Sequence, residues 1–183
     1  MQRAVWRRNL QQQAHLDRPA KARLIDVCGR CARTCNRVTT AWTVHCDGSA
    51  VPNPGCMGLG AVLVAPDGTR HELSQRAEGR GCNNEAEVRA VMAALLVLKQ
   101  QGATAIVACC DNSVVVGELM QTAARPVARL AAVFEEARAL LRSFEQAQVV
   151  WIPRHRNREA DALARAALGL PAKAVPAQTR RRR

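Results

Sequence analysis

The sequence predicts an α/β domain built on a mixed sheet, with a basic extension at each end. Three observations carry this. Between Ala41 and Ala77, β-prone apolar runs alternate with turn residues, among them the hairpin signal Pro66-Asp67-Gly68. From Val88 the apolar period switches to that of a helix, with Val88, Val91, Met92, Leu95 and Leu98 on one face. A short, nearly all-apolar run, Ala105 to Cys110, then stands between two helical patterns, as a strand buried on both faces requires.

Residues 1–39 read as a basic N-terminal leader, with helices near 3–15 and 20–37 separated by Pro19. Within it, Leu24, Cys28, Cys31 and Cys35 are spaced four, three and four apart, which places them in one helical stripe where cysteine packs as a small hydrophobe. The competing reading takes Cys28, Cys31 and Cys35 as zinc ligands, with His45 or Cys46 as the fourth; no clean second pair supports it. Strands at Ala41–Cys46, Leu59–Ala65 and Arg70–Ala77 form an antiparallel meander. A long helix follows, capped by Asn83 or Asn84 and ended by Gly102.

After the strand Ala105–Cys110 come a helix from about Asn112 to Thr122 and another from Pro126 to about Gln146. Val149–Pro153 reads as the last strand, and "NREADALARAAL" as a closing amphipathic helix with Asn157 as its cap. Residues 170–183, rich in Pro and Ala and ending in arginines, read as a disordered tail. The folded domain thus spans 40–169, in the order βββ-α-β-α-α-β-α. A strand, crossover and strand imply parallel pairing, so the sheet is mixed.

The formal charge of +12 is unevenly placed. Residues 1–40 carry nine basic and two acidic groups, 41–170 thirteen of each, and 171–183 five basic and none acidic. A neutral domain with basic ends points to a polyanionic partner held by its extensions. Aromatics make up only 3% of the chain, which argues against a single-strand binder built on stacking. The longest wholly apolar run, Ala90–Leu98, is too short to span a bilayer, so no membrane role is expected. No apolar segment follows the N-terminal arginines, and a cytoplasmic location with reduced cysteines is expected.

The acids carry the chemistry. Asp47 ends the first strand and Asp111 the fourth, so parallel neighbours would bring both carboxylates to one sheet edge, where ligands bind such folds. Glu85 or Glu87, in the first turns of the long helix, and Asp161, near the start of the last, reach the same edge. Singly, each has a plainer reading: Asp111 as a helix cap, Asp161 as part of an exposed first turn with Glu159, the glutamates as partners of a helix dipole. Together they form a cluster that needs cations. Oxygen donors without His or Cys favour Mg²⁺ or Mn²⁺, and two such ions suit phosphodiester hydrolysis.

The motifs "DGSAVPNPG", "CNNEAE", "CDNS" and "NREADALA", in this order and setting, resemble type 1 ribonuclease H over residues 41–168, in its compact subgroup without a basic handle. The resemblance implies a five-stranded sheet of order 3-2-1-4-5. It implies a monomeric, metal-dependent endonuclease cutting the RNA strand of RNA–DNA hybrids, with 5′-phosphate and 3′-hydroxyl products. By motif, the catalytic and metal-holding acids are Asp47, Glu87, Asp111 and Asp161, with two Mg²⁺ or Mn²⁺ ions when substrate is bound. Asn83 and Asn84 would approach ribose 2′-hydroxyls, with Gly48, Ser49 and Asn53 lining the same surface. His155 would be an auxiliary group in water delivery or product release.

The chain departs from the family pattern at Cys82, where many members have Thr, and in the short connection "MQTAARPVARL" that replaces the handle. The leader and arginine tail would then supply the missing grip. The competing readings are a non-catalytic nucleic-acid-binding module on the same fold, and a nuclease of RNA duplexes or RNA–DNA junctions.

Overall fold

The computed structural model describes residues 41–173. The expectations for the 1–39 leader, its cysteine stripe included, and for residues 174–183 lie outside them.

Strands β1 (Trp42–Val51), β2 (Gly55–Val64) and β3 (Arg70–Gly81) pair antiparallel in turn. The period then changes to helical in α1 (Asn83–Gln100), followed by β4 (Ala105–Cys110) and α2 (Ser113–Leu119). A 3₁₀ turn, Ala128–Leu130, leads into α3 (Ala131–Arg142), then β5 (Gln146–Trp151), a second turn, Arg154–Arg156, and α4 (Arg158–Ala166). The sheet order is β3-β2-β1-β4-β5, with β1, β4 and β5 parallel, as expected.

The core lies between the sheet and α1. Val88, Val91, Leu95 and Leu98 of the expected stripe are buried, as are Val44, Leu59, Leu63 and Ile106 of the sheet, and α1 packs on β1 and β2. Each such side chain contributes roughly 1.5–3 kcal/mol by leaving water. α2 and α3 pack on α1, and α4 packs on β2, β1 and β3. Gly60 of β2 makes that last contact: a Cβ there would sit 2.3 Å from the Ala160 carbonyl oxygen, so only glycine lets α4 lie so close.

Several element bounds differ from expectation, for reasons of long-range pairing. Asp47 does not end β1. The parallel ladder with β4 ends at Cys46↔Cys110, but the antiparallel ladder with β2 continues through Ala50↔Met57 to Val51↔Cys56. The break at Gly48 and Ser49 therefore marks where one neighbour stops, with the turn itself at residues 52–54. α3 is shorter than expected because Gln146 already pairs with Ala105 at the start of β5. Neither Asn83 nor Asn84 caps α1. Cys82 holds the N-cap position without a side-chain bond, and both asparagines bond elsewhere.

Candidate active site

Where the parallel ladder between β1 and β4 stops, the next residue of each strand path is an acid, and the two stand side by side. Asp47 follows Cys46, and Asp111 follows its partner Cys110. Glu87 arrives from the second turn of α1. Oxygens of Asp47, Glu87 and Asp111 all lie within 4.8 Å of one another. Asp47 is 3% exposed and Glu87 9%, so the group is withdrawn from water. Burial pushes the Asp47 carboxyl up to about 8, with the Asp111 and Asp161 charges adding to it. Glu87 is pushed to about 10, again by burial first and then by Asp47 and Asp111.

Asp161, in the first turn of α4, stands beside this trio. Its Oδ1 is held by Lys173 Nζ and lies 4.0 Å from Arg154 Nη2. Arg154 Nε is also 3.8 Å from Asp111 Oδ2. Asp111 Oδ1 accepts from Asn157 Nδ2 at 2.9 Å, and its main-chain carbonyl accepts from the Trp151 indole at 3.1 Å. Glu85 turns away into an ion pair with Arg89 at 2.9 Å. The all-oxygen donor set fits a hard divalent ion, because three desolvated carboxylates this close repel one another until cation charge or protons compensate.

Two of the residues expected at the substrate surface, Asn53 and Asn83, are linked to each other. Asn83 Oδ1 accepts from Ala50 N at 2.9 Å, while Asn83 N donates to Asn53 Oδ1 at 3.1 Å, tying the 52–54 turn to the start of α1. Asn84 Oδ1 accepts from Asn112 Nδ2 at 3.0 Å, next to Asp111. Asn53 and Asn83 are exposed, and Ser49 and Asn84 are half-buried. Gly48 is different: its open side meets the backbone of α1 rather than a free surface. Arg129 Nη2 lies 3.4 Å from Cys82 Sγ, bringing a cation from the short connection to the start of α1.

The second 3₁₀ turn also differs from expectation. His155 is exposed and lines a groove of about 380 Å³ with His45, Arg70 and Glu159. Its neighbour Arg154 is the residue of that turn that reaches the acids. Sequence reasoning missed three groups in all: Arg154, Lys173, and the side chain of Asn157, read only as a cap. Asn157 offered one signal, standing one helical turn before Asp161 at the exit of a strand.

A mixed sheet of this order, with carboxylates meeting where its central parallel pair ends, defines a protein of the ribonuclease H fold. The family described as reverse transcriptase-like matches residues 45–167. The chain belongs to the ribonuclease H family.

The bifunctional protein Rv2228c of Mycobacterium tuberculosis is 33% identical over 135 residues, which make up 73% of this chain and 37% of that protein. Ribonuclease HI of Halobacterium salinarum is 34% identical over 122 residues, 67% of this chain and 61% of that one. The chain thus spans only part of the length of these relatives. Among solved structures, RNase H1 of Halobacterium salinarum NRC-1 gives a TM-score of 0.67 at 33% identity, covering 70% of this chain and 98% of that one. The N-terminal RNase H domain of Rv2228c gives 0.65 at 32%, covering 72% and 95%. LC11-RNase H1 in complex with an RNA/DNA hybrid gives 0.64 at 26%, covering 70% and 96%.

Proposed function

We propose that the chain is a ribonuclease H: an endonuclease that hydrolyses the RNA strand of RNA–DNA hybrids with two divalent ions, leaving 5′-phosphate and 3′-hydroxyl ends. One observation carries this reading. Asp47, Glu87 and Asp111 converge within 4.8 Å where the parallel ladder of β1 and β4 ends, in a fold shared with hybrid-bound LC11-RNase H1.

Asp47, Glu87, Asp111 and Asp161 are the residues that would hold Mg²⁺ or Mn²⁺. When bound, such ions make water a nucleophile at neutral pH and offset charge on the leaving oxygen. The protein's own part is to position and to select. Asn83 spends its Oδ1 on Ala50, which leaves its amide donor for a ribose 2′-hydroxyl, the group that separates RNA from DNA. Asn53, bonded to Asn83, extends this surface along the minor groove. Arg154, 74% exposed beside Asp111 and Asp161, is placed to meet a backbone phosphate.

Cleavage of labelled hybrid, RNA duplex, RNA–DNA junction and DNA duplex tests the reading, in Mg²⁺, Mn²⁺ or EDTA. Metal-dependent cutting of the hybrid's RNA strand is expected, abolished by Asp111→Asn. Cutting that persists in EDTA or in Asp111→Asn would refute the mechanism, and preferential cutting of RNA duplex would redirect the substrate.

A further inference from the structure

Asn157 is 1% exposed, and its side chain caps nothing in the helix it precedes. Its Nδ2 instead donates to acceptors on two separate segments. One is the Cys46 carbonyl of β1, at 2.8 Å, and the other is Asp111 Oδ1, just past β4, at 2.9 Å. Cys46 directly precedes Asp47. The Asn157 carbonyl in turn accepts from Asp161 N at 3.1 Å. One buried residue is therefore joined to the mounts of Asp47, Asp111 and Asp161.

The amide can sit only one way round. Exchanging Oδ1 and Nδ2 would set an oxygen against two oxygens, and both Nδ2 hydrogens are already spent. With Oδ1 of Asp111 engaged, Oδ2 is the oxygen that remains free of a close hydrogen bond. Nothing else among the described hydrogen bonds joins β1, the end of β4 and the start of α4 in this way.

We propose that Asn157 is a positioning residue, which fixes Asp111 as a one-oxygen ligand turned toward Asp47 and Glu87 and sets the spacing of β1 at Cys46, the end of β4 and the start of α4. Its catalytic consequence rests on the hydrolase reading above; its consequence for ion binding does not. Partners that orient a metal-holding carboxylate in this way typically control affinity or rate by about 10–100-fold.

The test compares Asn157→Ala, Asn157→Asp and the core control Leu98→Ala, all in the full chain and at a temperature where each is folded by circular dichroism. Asn157→Asp keeps the shape but replaces a donor by an acceptor. Mn²⁺ affinity is read by calorimetry, and kcat and KM on hybrid separately. Both Asn157 variants should weaken Mn²⁺ binding and lower kcat by about 10–100-fold, with KM little changed. Leu98→Ala should lose stability alone. Wild-type Mn²⁺ affinity in Asn157→Asp, or losses no greater than those of Leu98→Ala, would overturn the proposal. In the wild-type chain, the Asn157 side-chain amide protons should exchange slowly and shift on Mg²⁺ titration. Fast exchange without a shift would overturn the proposal even if the variants fail to fold. A chain whose Mn²⁺ affinity depends on Asn157 but which cleaves no hybrid would sink the proposed function and leave this inference standing.

Discussion

Gly48 and Glu87 meet across two elements: a Cβ added to Gly48 would lie 2.2 Å from the Glu87 backbone nitrogen and 2.1 Å from the Ala86 carbonyl carbon. No real contact is that short, and the atoms in the way are backbone rather than the end of a flexible chain. The missing side chain is how α1 comes down onto β1 beside Asp47. It thereby brings Glu87 within ligand distance of Asp47 and Asp111.

Gly48→Ala should therefore damage the site as well as the fold. Overpacking at a backbone contact costs about 1–3 kcal/mol, and α1 can relieve it only by lifting Glu87 away. Denaturant unfolding should show the lost stability, and calorimetry should show weaker Mn²⁺ binding in the protein that remains folded. Unchanged ion affinity beside a lowered midpoint would separate Gly48 from the site.

The raised carboxyls of Asp47 and Glu87 make a prediction about pH without metal. Well below pH 4, both are protonated in the folded and unfolded chains, and neither contributes a pH-dependent penalty. As pH rises, the unfolded chain releases these protons, while the fold retains them until about 8 for Asp47 and about 10 for Glu87. The unfolded state thus binds fewer protons, and the metal-free fold loses stability from about pH 4 up to about pH 8 and beyond. Asp47→Asn should raise Tm at pH 8 in EDTA, by about 2–4 °C for each kcal/mol recovered, and by much less at pH 4.5. Excess Mg²⁺ should narrow the difference at pH 8. A Tm difference that is flat with pH would contradict the electrostatic account.

Local signals in the sequence reach the elements and the acids, but not their partners. Ala105–Cys110 has the bounds its apolar run implies, because a strand buried on both faces needs no register information to be recognised. Asp47 was legible as a site residue yet misplaced as a strand end. Gly48-Ser49-Ala50 has weak intrinsic strand character, and only pairing with Met57 and Leu59 makes it strand. Arg154 and His155 are adjacent and alike in exposure, and which one faces the acids depends on the turn that carries them. Asn157 looked like a cap because caps are local; its two acceptors lie 111 and 46 residues away.

The basic leader should act through charge. It carries nine Lys/Arg on a chain whose folded middle is neutral. Deleting residues 1–38 should weaken hybrid binding at low salt and flatten the dependence of log K on log salt, since fewer counterions are released. Affinity measured by fluorescence anisotropy across a salt series checks this. An unchanged slope would mean that the leader does not touch the hybrid.

Lys173 should compete with the ion for Asp161. Its ammonium already bonds Asp161 Oδ1, and the Lys173 side chain is 48% exposed against 13% for Asp161. A divalent ion engaging Asp161 competes with that ammonium for the same carboxylate charge. A partly exposed ion pair of this kind is worth at most about 1 kcal/mol, so Lys173→Ala should tighten Mn²⁺ binding by no more than about fivefold. It should lower the metal concentration for half-maximal hydrolysis while leaving the rate at saturating metal unchanged. The effect should vanish in an Asp161→Asn background, where there is no carboxylate left to contest. The same gain in that background would assign it to general charge reduction instead, because a specific contact cannot act through a partner that is gone.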